Sequence, residues 1–307
     1  MNPQRALFVG DISWDTTVVV PHLPGPDEKV VASSLVENVG GVTTNAAIAC
    51  SRAGTLVTLT TTVGADMAGS SALSAVESTG VILTATTVPN RATCRAIITL
   101  DSAGEKRLVL APNAAMYPAL SQLNRMNVAG SAWMHTALYD LDAAAVAIDR
   151  ARIASVPWSI DLEPATIPAY LDELEPHLRG CTTVFANSRT GRRLGDSMVG
   201  DLLRLGVHEV VETLGPHGAV LTTSDRVTPV TPPKSIGPVL DTTGAGDALA
   251  GWFVSDRVEG KSAVDALRTA VDAASYTVQF HGASSSYPTR CTLTAHHVRL
   301  QRERFST

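Results

Sequence analysis

Val239-Leu240-Asp241-Thr242-Thr243-Gly244-Ala245-Gly246-Asp247-Ala248-Leu249-Ala250-Gly251 is the stretch from which the rest of the chain can be read. It opens on an apolar pair and runs into Trp252-Phe253-Val254, the pattern of a strand end, a tight loop and a helix start. Gly244 and Gly246 flank Ala245 and let the backbone come close to a ligand. The first N–H groups of a helix have no intrahelical partner and sit at the positive end of its dipole. Such amides stabilise negative charge, phosphoryl oxygens above all. A carboxylate inside an anion site repels phosphate and needs a different task. Asp247 is therefore read as the group that accepts the proton of an attacking hydroxyl. Glycines in a turn and an Asp capping a helix would produce the same short pattern, so the neighbouring motifs must decide.

The chain has 307 residues, 45% hydrophobic and 17% charged, which suits a large aliphatic core. Its length allows two average domains, but α/β proteins of this size are often one, and a single domain over 1–307 is expected. Net charge is −5 and no Lys/Arg run exceeds Arg192-Arg193, which argues against nucleic acid as a partner. No apolar window reaches 18 residues, which excludes a helical membrane span. The residues before Phe8 are polar and lack the pattern of a secretory leader. Cys50, Cys94, Cys181 and Cys291 form no CxxC pair, so neither a zinc site nor a disulfide framework is expected. A reducing cytoplasm is the simplest setting.

In chain order, Ala6 to Gly10 reads as a buried first strand, followed by Asp15 and a β-branched run from Thr16 to Val20. Prolines and a glycine break the chain at 21–26, and Lys29 to Val36 resumes an extended pattern. Gly40-Gly41 precede a small-residue helix at 46–53 that carries Asn45 at its start. Leu56 to Val63 is a strand, closed by Gly64-Ala65-Asp66, and Ser70 to Ser78 a helix. Thr93 to Leu100 and Lys106 to Leu110 are strands joined by a hairpin loop at 101–105. With the earlier pair they form a small β lid, near 11–36 and 93–111. From Pro112 on, short strands at Ala132–His135, Trp158–Asp161, Thr183–Ala186 and Val210–Thr213 alternate with helical segments, the pattern of βαβ units and a parallel sheet. Asp161, Asn187 and Thr213 fall at strand ends, where such sheets bind ligands.

Asp-Thr-Thr-Gly-Ala-Gly-Asp at 241–247 closely resembles the C-terminal motif of the ribokinase-like family, the phosphofructokinase-B type of sugar and nucleoside kinases. Gly40-Gly41-x-x-x-Asn45 and Val63-Gly64-Ala65-Asp66-x-x-Gly69 resemble its N-terminal motif, and Thr213-x-Gly215-x-x-Gly218 its phosphate-side turn. The resemblance spans essentially the whole chain. It implies an α/β fold: a three-layer α/β/α core with a mainly parallel sheet and a small β-sheet lid. It implies ATP-dependent phosphorylation of a hydroxyl on a small sugar-like molecule, with Asp247 as base and the amides of Gly244, Ala245, Gly246 and Asp247 as anion hole. Asp15, Gly40, Gly41 and Asn45 correspond to the family's sugar ligands. Asn187, Thr213, Gly215 and Gly218 correspond to its nucleotide side. Asp241, Thr243, Thr277, Phe280, Gly282 and Ser286 correspond to its ring around a monovalent cation. ATP, Mg²⁺ and K⁺ are the implied cofactors.

Two positions depart from the family pattern. Val42 stands where ribokinases proper often carry a polar residue, which weakens the case for ribose. Thr190 stands where Asn-x-x-Glu is usual, so the expected carboxylate near Mg²⁺ is missing; either metal dependence is weaker or another carboxylate substitutes. Three further readings stay open. The same scaffold serves nucleoside kinases, with Trp14 and Tyr139 available to stack on a base. A non-catalytic sugar-binding relative is favoured by Thr190 and opposed by Asp247. Open lid edges tend to be covered, which points to a homodimer through the lid.

Overall fold

The computed structural model describes residues 4–101, 106–113, 116–233 and 237–304. In chain order the strands are β1 (Arg5–Val9), β2 (Ser13–Val20), β3 (Ser34–Gly40), β4 (Leu56–Gly64), β5 (Ile82–Val88), β6 (Arg95–Asp101), β7 (Lys106–Ala111), β8 (Ser131–Ala137), β9 (Trp158–Leu162), β10 (Thr183–Asn187), β11 (Glu209–Thr213), β12 (Ala219–Thr223) and β13 (Val227–Val230). Nine of them form one sheet in the order β13-β12-β11-β10-β9-β8-β1-β4-β5. Every pairing from β11 through β5 is parallel, whereas β12 and β13 are added antiparallel at one edge.

β1 shows why the core has two halves. Ala6 and Phe8 point into one apolar cluster, Leu7 and Val9 into the other, and all four are buried. A strand covered on both faces needs an unbroken apolar run, which is what the sequence supplies. Helices Val42–Arg52, Met67–Glu77, Ala245–Val258 and Ala263–Thr277 cover the first face. Leu141–Ile153, Met198–Arg204 and the short helix Leu120–Leu123 cover the second. This is the expected three-layer α/β/α core.

The remaining four strands form a separate sheet in the order β3-β2-β6-β7. This is the expected lid, with two corrections. Its second strand is Ser34–Gly40 rather than the 29–36 segment, because the pairing of Ser13 with Gly40 through Val19 with Ser34 sets the register. Its central pair, β2 with β6, is parallel, so the lid is not a simple stack of hairpins. Most of the loop expected between β6 and β7, 102–105, lies outside the described residues. Asp66 ties lid to core: it caps helix Met67–Glu77 through Gly69 N and accepts from both Thr93 N and Thr93 Oγ1, just ahead of β6.

β5 is a strand that the sequence analysis does not assign. It pairs only with β4, at the sheet edge, and most of it is exposed. The long helix expected over 262–280 runs from Ala263 to Thr277, with Ser262 accepting from Asp265 N as its cap. All four cysteines are free. Among the described residues, no helix is long and apolar enough to cross a membrane.

Candidate active site

The glycine loop begins helix Ala245–Val258, with Gly244 as its cap at φ 75°. A Cβ on Gly244 would stand 2.5 Å from Tyr287 Oη and 2.7 Å from Ala283 Cβ, so both space and dihedral demand glycine. Ala248 N makes the first helical bond, to Gly244 O at 2.8 Å, which leaves the amides of Gly246 and Asp247 ahead of it at the positive end of the helix. Nothing lies within 4 Å of where a Gly246 Cβ would be, so this turn faces open space.

Asp247 is half-buried on the first turn of this helix. Its Oδ2 accepts from Asn45 Nδ2 at 2.9 Å. Burial, together with the charges of Glu163 and Asp11, pushes its carboxyl up to about 8 against the opposing Asn45 bond and Lys106 charge. That raises its basicity into the range useful at neutral pH. Asn45 Oδ1 is buried and has no hydrogen-bond partner, an acceptor beside the proposed base that a ligand hydroxyl would satisfy.

Gly40 and Gly41 shape the wall beside Asn45. A Cβ on Gly40 would lie 2.0 Å from Asp15 Oδ2, so that glycine makes room for the Asp15 carboxylate. Gly41, at φ 105°, caps helix Val42–Arg52, and a Cβ there would meet Asp11 O at 2.8 Å. The side chain of Asp11 fills the helix start, accepting from Val42 N at 2.8 Å and Thr43 N at 2.9 Å. Asp15 accepts from Ser13 Oγ at 2.5 Å. Burial and the neighbouring Asp11 charge raise its carboxyl despite that bond. The sequence-predicted acceptor ligands Asp15, Gly40, Gly41 and Asn45 thus share one wall, and Asn45 joins it to Asp247.

A further set of acidic side chains lies at the end of β9. Asp161 is buried, with no side-chain hydrogen bond among the described residues. Burial and the charges of Glu163, Asp247 and Asp11 push its carboxyl well up. Glu163 is also raised, by burial first, with Arg189 pulling the other way. Thr190, fully buried, donates to Leu162 O at 2.8 Å. Its hydroxyl proton is committed to the chain beside Glu163. Arg189 is exposed, and its charge lowers the Glu163 carboxyl. Burial raises the Tyr139 phenol, and the charges of Asp11, Glu163, Asp161 and Asp247 push the same way. Trp14 instead packs against the first core cluster.

Lys106 reaches across from β7 of the lid and donates to Thr243 Oγ1 at 3.2 Å. It is the described contact that carries a lid cation onto the glycine loop.

The nucleotide-side candidates line the next strand ends. Asn187 and Thr213 are register partners on β10 and β11. Asn187 Oδ1 caps helix Ser188–Leu194 through Arg189 N and Thr190 N, while its amide nitrogen stays unpaired among the described residues. Gly215 and Gly218 have φ of 58° and 86° in the tight turn between β11 and β12. A Cβ on Gly218 would strike Val230 O at 2.1 Å. The turn joins two antiparallel strands, β11 and β12.

Among the candidate cation ligands, Asp241 bridges two loops: Oδ1 accepts from Thr243 N and Oδ2 from Gly282 N, each at 2.9 Å. Burial raises its carboxyl, but these amide bonds outweigh that and hold it below the usual range. Phe280 N donates to Thr277 O at 3.1 Å, while Ser286 Oγ turns to Ala283 O at 2.7 Å. Asp241, Thr243 and Gly282 are therefore brought together. Thr277 and Phe280 form a separate contact, and the Ser286 hydroxyl is spent within its own turn.

Asp11, Glu163 and Lys106 are the residues around the site to which the sequence assigned no role. Asp11 follows Gly10 at the end of β1, a position whose register with a distant helix start no local pattern reveals. Glu163 lies two residues past Asp161, which the strand-end rule did find.

A sequence model of the pfkB family carbohydrate kinases matches residues 4–290. The ribokinase of Haemophilus influenzae is 28% identical over 293 residues, covering 92% of this chain and 94% of its own. The nucleoside kinase of Methanothermobacter thermautotrophicus is 24% identical over 286 residues, covering 92% of each. A structure of Arabidopsis thaliana ribokinase complexed with ribose and ATP superposes with a TM-score of 0.82 at 24% identity, covering 96% of this chain and 98% of that one.

Proposed function

The chain belongs to the pfkB family of carbohydrate kinases, and from that premise we propose that it phosphorylates a hydroxyl of a small sugar at the crevice between Asp247 and the Asp15–Asn45 wall. ATP-dependent phosphoryl transfer is the family's activity; the assignment of residues, metal and assembly is the new reading. The observation that carries it is the Asn45–Asp247 contact, which sets a carboxyl raised to about 8 beside the unsatisfied Asn45 Oδ1 and the glycine-loop amides.

In this reading the acceptor hydroxyl sits against Asp247, which takes its proton as the new oxygen–phosphorus bond forms. Asp15 and Asn45 hold neighbouring hydroxyls. The amides of Gly246 and Asp247, with Gly244 and Ala245 shaping the turn, oppose charge growing on the transferred group. Lys106 brings a cation to the same loop from the lid, and a closed lid excludes water as a competing acceptor. Asn187, Thr213, Gly215 and Gly218 line the nucleotide side.

Divalent metal suits the donor set. No three acidic or imidazole side chains cluster as a ready metal site among the described residues, but the charges of Glu163 and Asp11 raise both Asp161 and Asp247, so the crevice carries negative charge that a divalent cation would offset. Asp161 and Glu163 would hold Mg²⁺, with Glu163 supplying the carboxylate that Thr190 does not. Mg²⁺ favours such oxygen ligands and neutralises phosphate charge when bound with nucleotide. K⁺ would sit at the Asp241–Gly282 junction, with the Asp241 carboxylate beside it. A phosphofructokinase-2 of similar fold has been solved in complex with potassium.

We read the chain as a single cytoplasmic kinase domain that pairs through its lid. Leu35, Val36, Ile97, Leu108, Val109 and Leu110 are each 39–64% exposed on that sheet, more apolar surface than a monomer would leave in water. A second copy is the occupant this surface suits, and light scattering tests it. A nucleoside acceptor is the second reading, favoured by the similarity to the nucleoside kinase of Methanothermobacter thermautotrophicus. ADP release from Mg-ATP across pentoses, hexoses, keto-sugar acids and nucleosides, with and without potassium, decides between them. Turnover confined to nucleosides would overturn the sugar reading, and binding without turnover would overturn both.

A further inference from the structure

A second cavity opens over β1, β4 and β5 on the Leu7 face of the sheet, the face opposite the glycine-loop helix. Its floor is set by strand register. Arg5 and Leu7 of β1 lie two residues apart on one face, Leu7 pairs with Thr58, and Thr60 pairs with Thr84. Residues 122–127 roof this floor and leave a space of about 360 Å³. Here the helical layer over the sheet is thin. Where β8 to β10 face helix Leu141–Ile153 with apolar side chains, β4 and β5 present a row of threonines instead.

The cavity chemistry is one-sided. Arg5 and Arg125 are both on its wall, and no carboxylate is. Neither guanidinium has a carboxylate partner among the described residues. Arg125 Nε donates to Ser121 O at 3.0 Å. Arg5 Nη2 reaches Ser131 Oγ at 3.1 Å, whereas Arg5 Nε is buried with no hydrogen-bond partner. Thr58 and Thr60 are 8% and 1% exposed, and their hydroxyls have no partner among the described residues. Gln122 completes the rim, its Nε2 held by Thr84 O at 2.8 Å. Buried polar groups are nearly always satisfied, so the idle Arg5 Nε, facing the same space as the exposed Arg125 and the Thr58 and Thr60 side chains, marks a ligand that accepts from it. Two guanidiniums and two hydroxyls match a tetrahedral oxyanion.

We propose that this cavity binds a phosphate group, as inorganic phosphate or as a phosphomonoester, at a site separate from the catalytic crevice. Arg5, Thr58 and Thr84 lie toward the N-terminal ends of β1, β4 and β5 and Thr60 stands beside Val9, all on the Leu7 face, whereas the glycine-loop helix covers the other face of the sheet. The ligand is therefore bound without touching the acceptor or the glycine loop.

The test uses the full chain saturated with a non-hydrolysable ATP analogue, which fills the nucleotide side of the crevice, and repeats the titration in Asp15→Ala, where loss of binding would assign the signal to the acceptor side and overturn the proposal. Calorimetric titration with inorganic phosphate and, separately, with ribose 5-phosphate should show one saturable site. Tighter binding of the ester assigns the site to phosphomonoesters, and equal binding assigns it to phosphate alone. Arg125→Gln should weaken binding about tenfold or more, because a charged donor to the anion is lost. Arg125 lies on the roof, so this variant leaves β1 anchored, and Arg5→Gln should act in the same direction. A selenate soak should give an anomalous peak between Arg5 and Arg125. No saturable binding, unchanged affinity in Arg125→Gln, or a peak only at the glycine loop would overturn the proposal. Catalytic turnover is not the readout, so these outcomes are independent of the kinase assignment.

Discussion

Asn45 Nδ2 donates to Asp247 Oδ2 at 2.9 Å, joining two residues 202 positions apart in the chain. The contact exists because helix Val42–Arg52 and helix Ala245–Val258 touch almost backbone to backbone. At Gly251 an added Cβ would stand only 2.3 Å from Ala46 O and 2.7 Å from Ala49 Cβ. Small residues on both helices therefore hold a substrate-wall amide against the proposed base.

The first consequence concerns pH. In the free enzyme kcat/KM should rise with pH through about 8, where the Asp247 carboxyl ionises. The Asn45 bond lowers that carboxyl, so Asn45→Ala should move the rising limb to higher pH. A limb at the same pH in the variant would show that the contact does not tune the base.

Stability should run the other way. The folded-state value of about 8 exceeds the ordinary 3.8, so between those values the native state binds more protons than the unfolded chain. Stability contributed by this group is therefore present at low pH and falls as pH rises through that window. Asp247→Asn removes the titration, and its Tm should exceed the wild type's above pH 8 while matching it near pH 4. Equal Tm values at both ends would mean that burial of this carboxyl costs the fold nothing.

Gly251→Ala separates propensity from packing. In an exposed helix interior this change would gain about 1 kcal/mol. Here the new methyl meets a backbone carbonyl, so the helices must part, and overpacking of this kind costs about 1–3 kcal/mol. Urea denaturation should show a net loss, with kcat reduced as Asn45 moves off Asp247. A stabilised variant with full activity would contradict the close crossing.

Asp15 should act on acceptor affinity. Losing a charged hydrogen bond costs about 1.5–3 kcal/mol, so Asp15→Ala should raise the acceptor KM roughly 10- to 100-fold. Gly40→Ala should do the same in part, since its methyl needs the space that the Asp15 carboxylate occupies. The KM for ATP should stay put in both, and steady-state kinetics with each substrate varied in turn will show whether it does.

The sequence made the glycine loop legible because its chemistry is local: dihedral freedom, free amides and a carboxylate all lie within a few residues. Asp15, Asn45, Asn187 and Thr213 were legible from motifs and strand ends. Glu163, Asp11 and Lys106 were not, because their roles depend on strand order and on a lid contact between residues 137 positions apart. β3 was misplaced because residues 34–38 are exposed throughout and offer no alternating pattern to fix a register. β5 was missed for a related reason: one neighbour and a mostly exposed surface leave little hydrophobic signal.

The most direct test of the account is the turnover of Asp247→Asn alongside its nucleotide affinity. If Asp247 takes the acceptor proton, kcat should fall about 10²- to 10⁴-fold while ATP binding by calorimetry stays near the wild-type value. A variant that keeps a tenth of the wild-type kcat would contradict the assignment of Asp247 as the base.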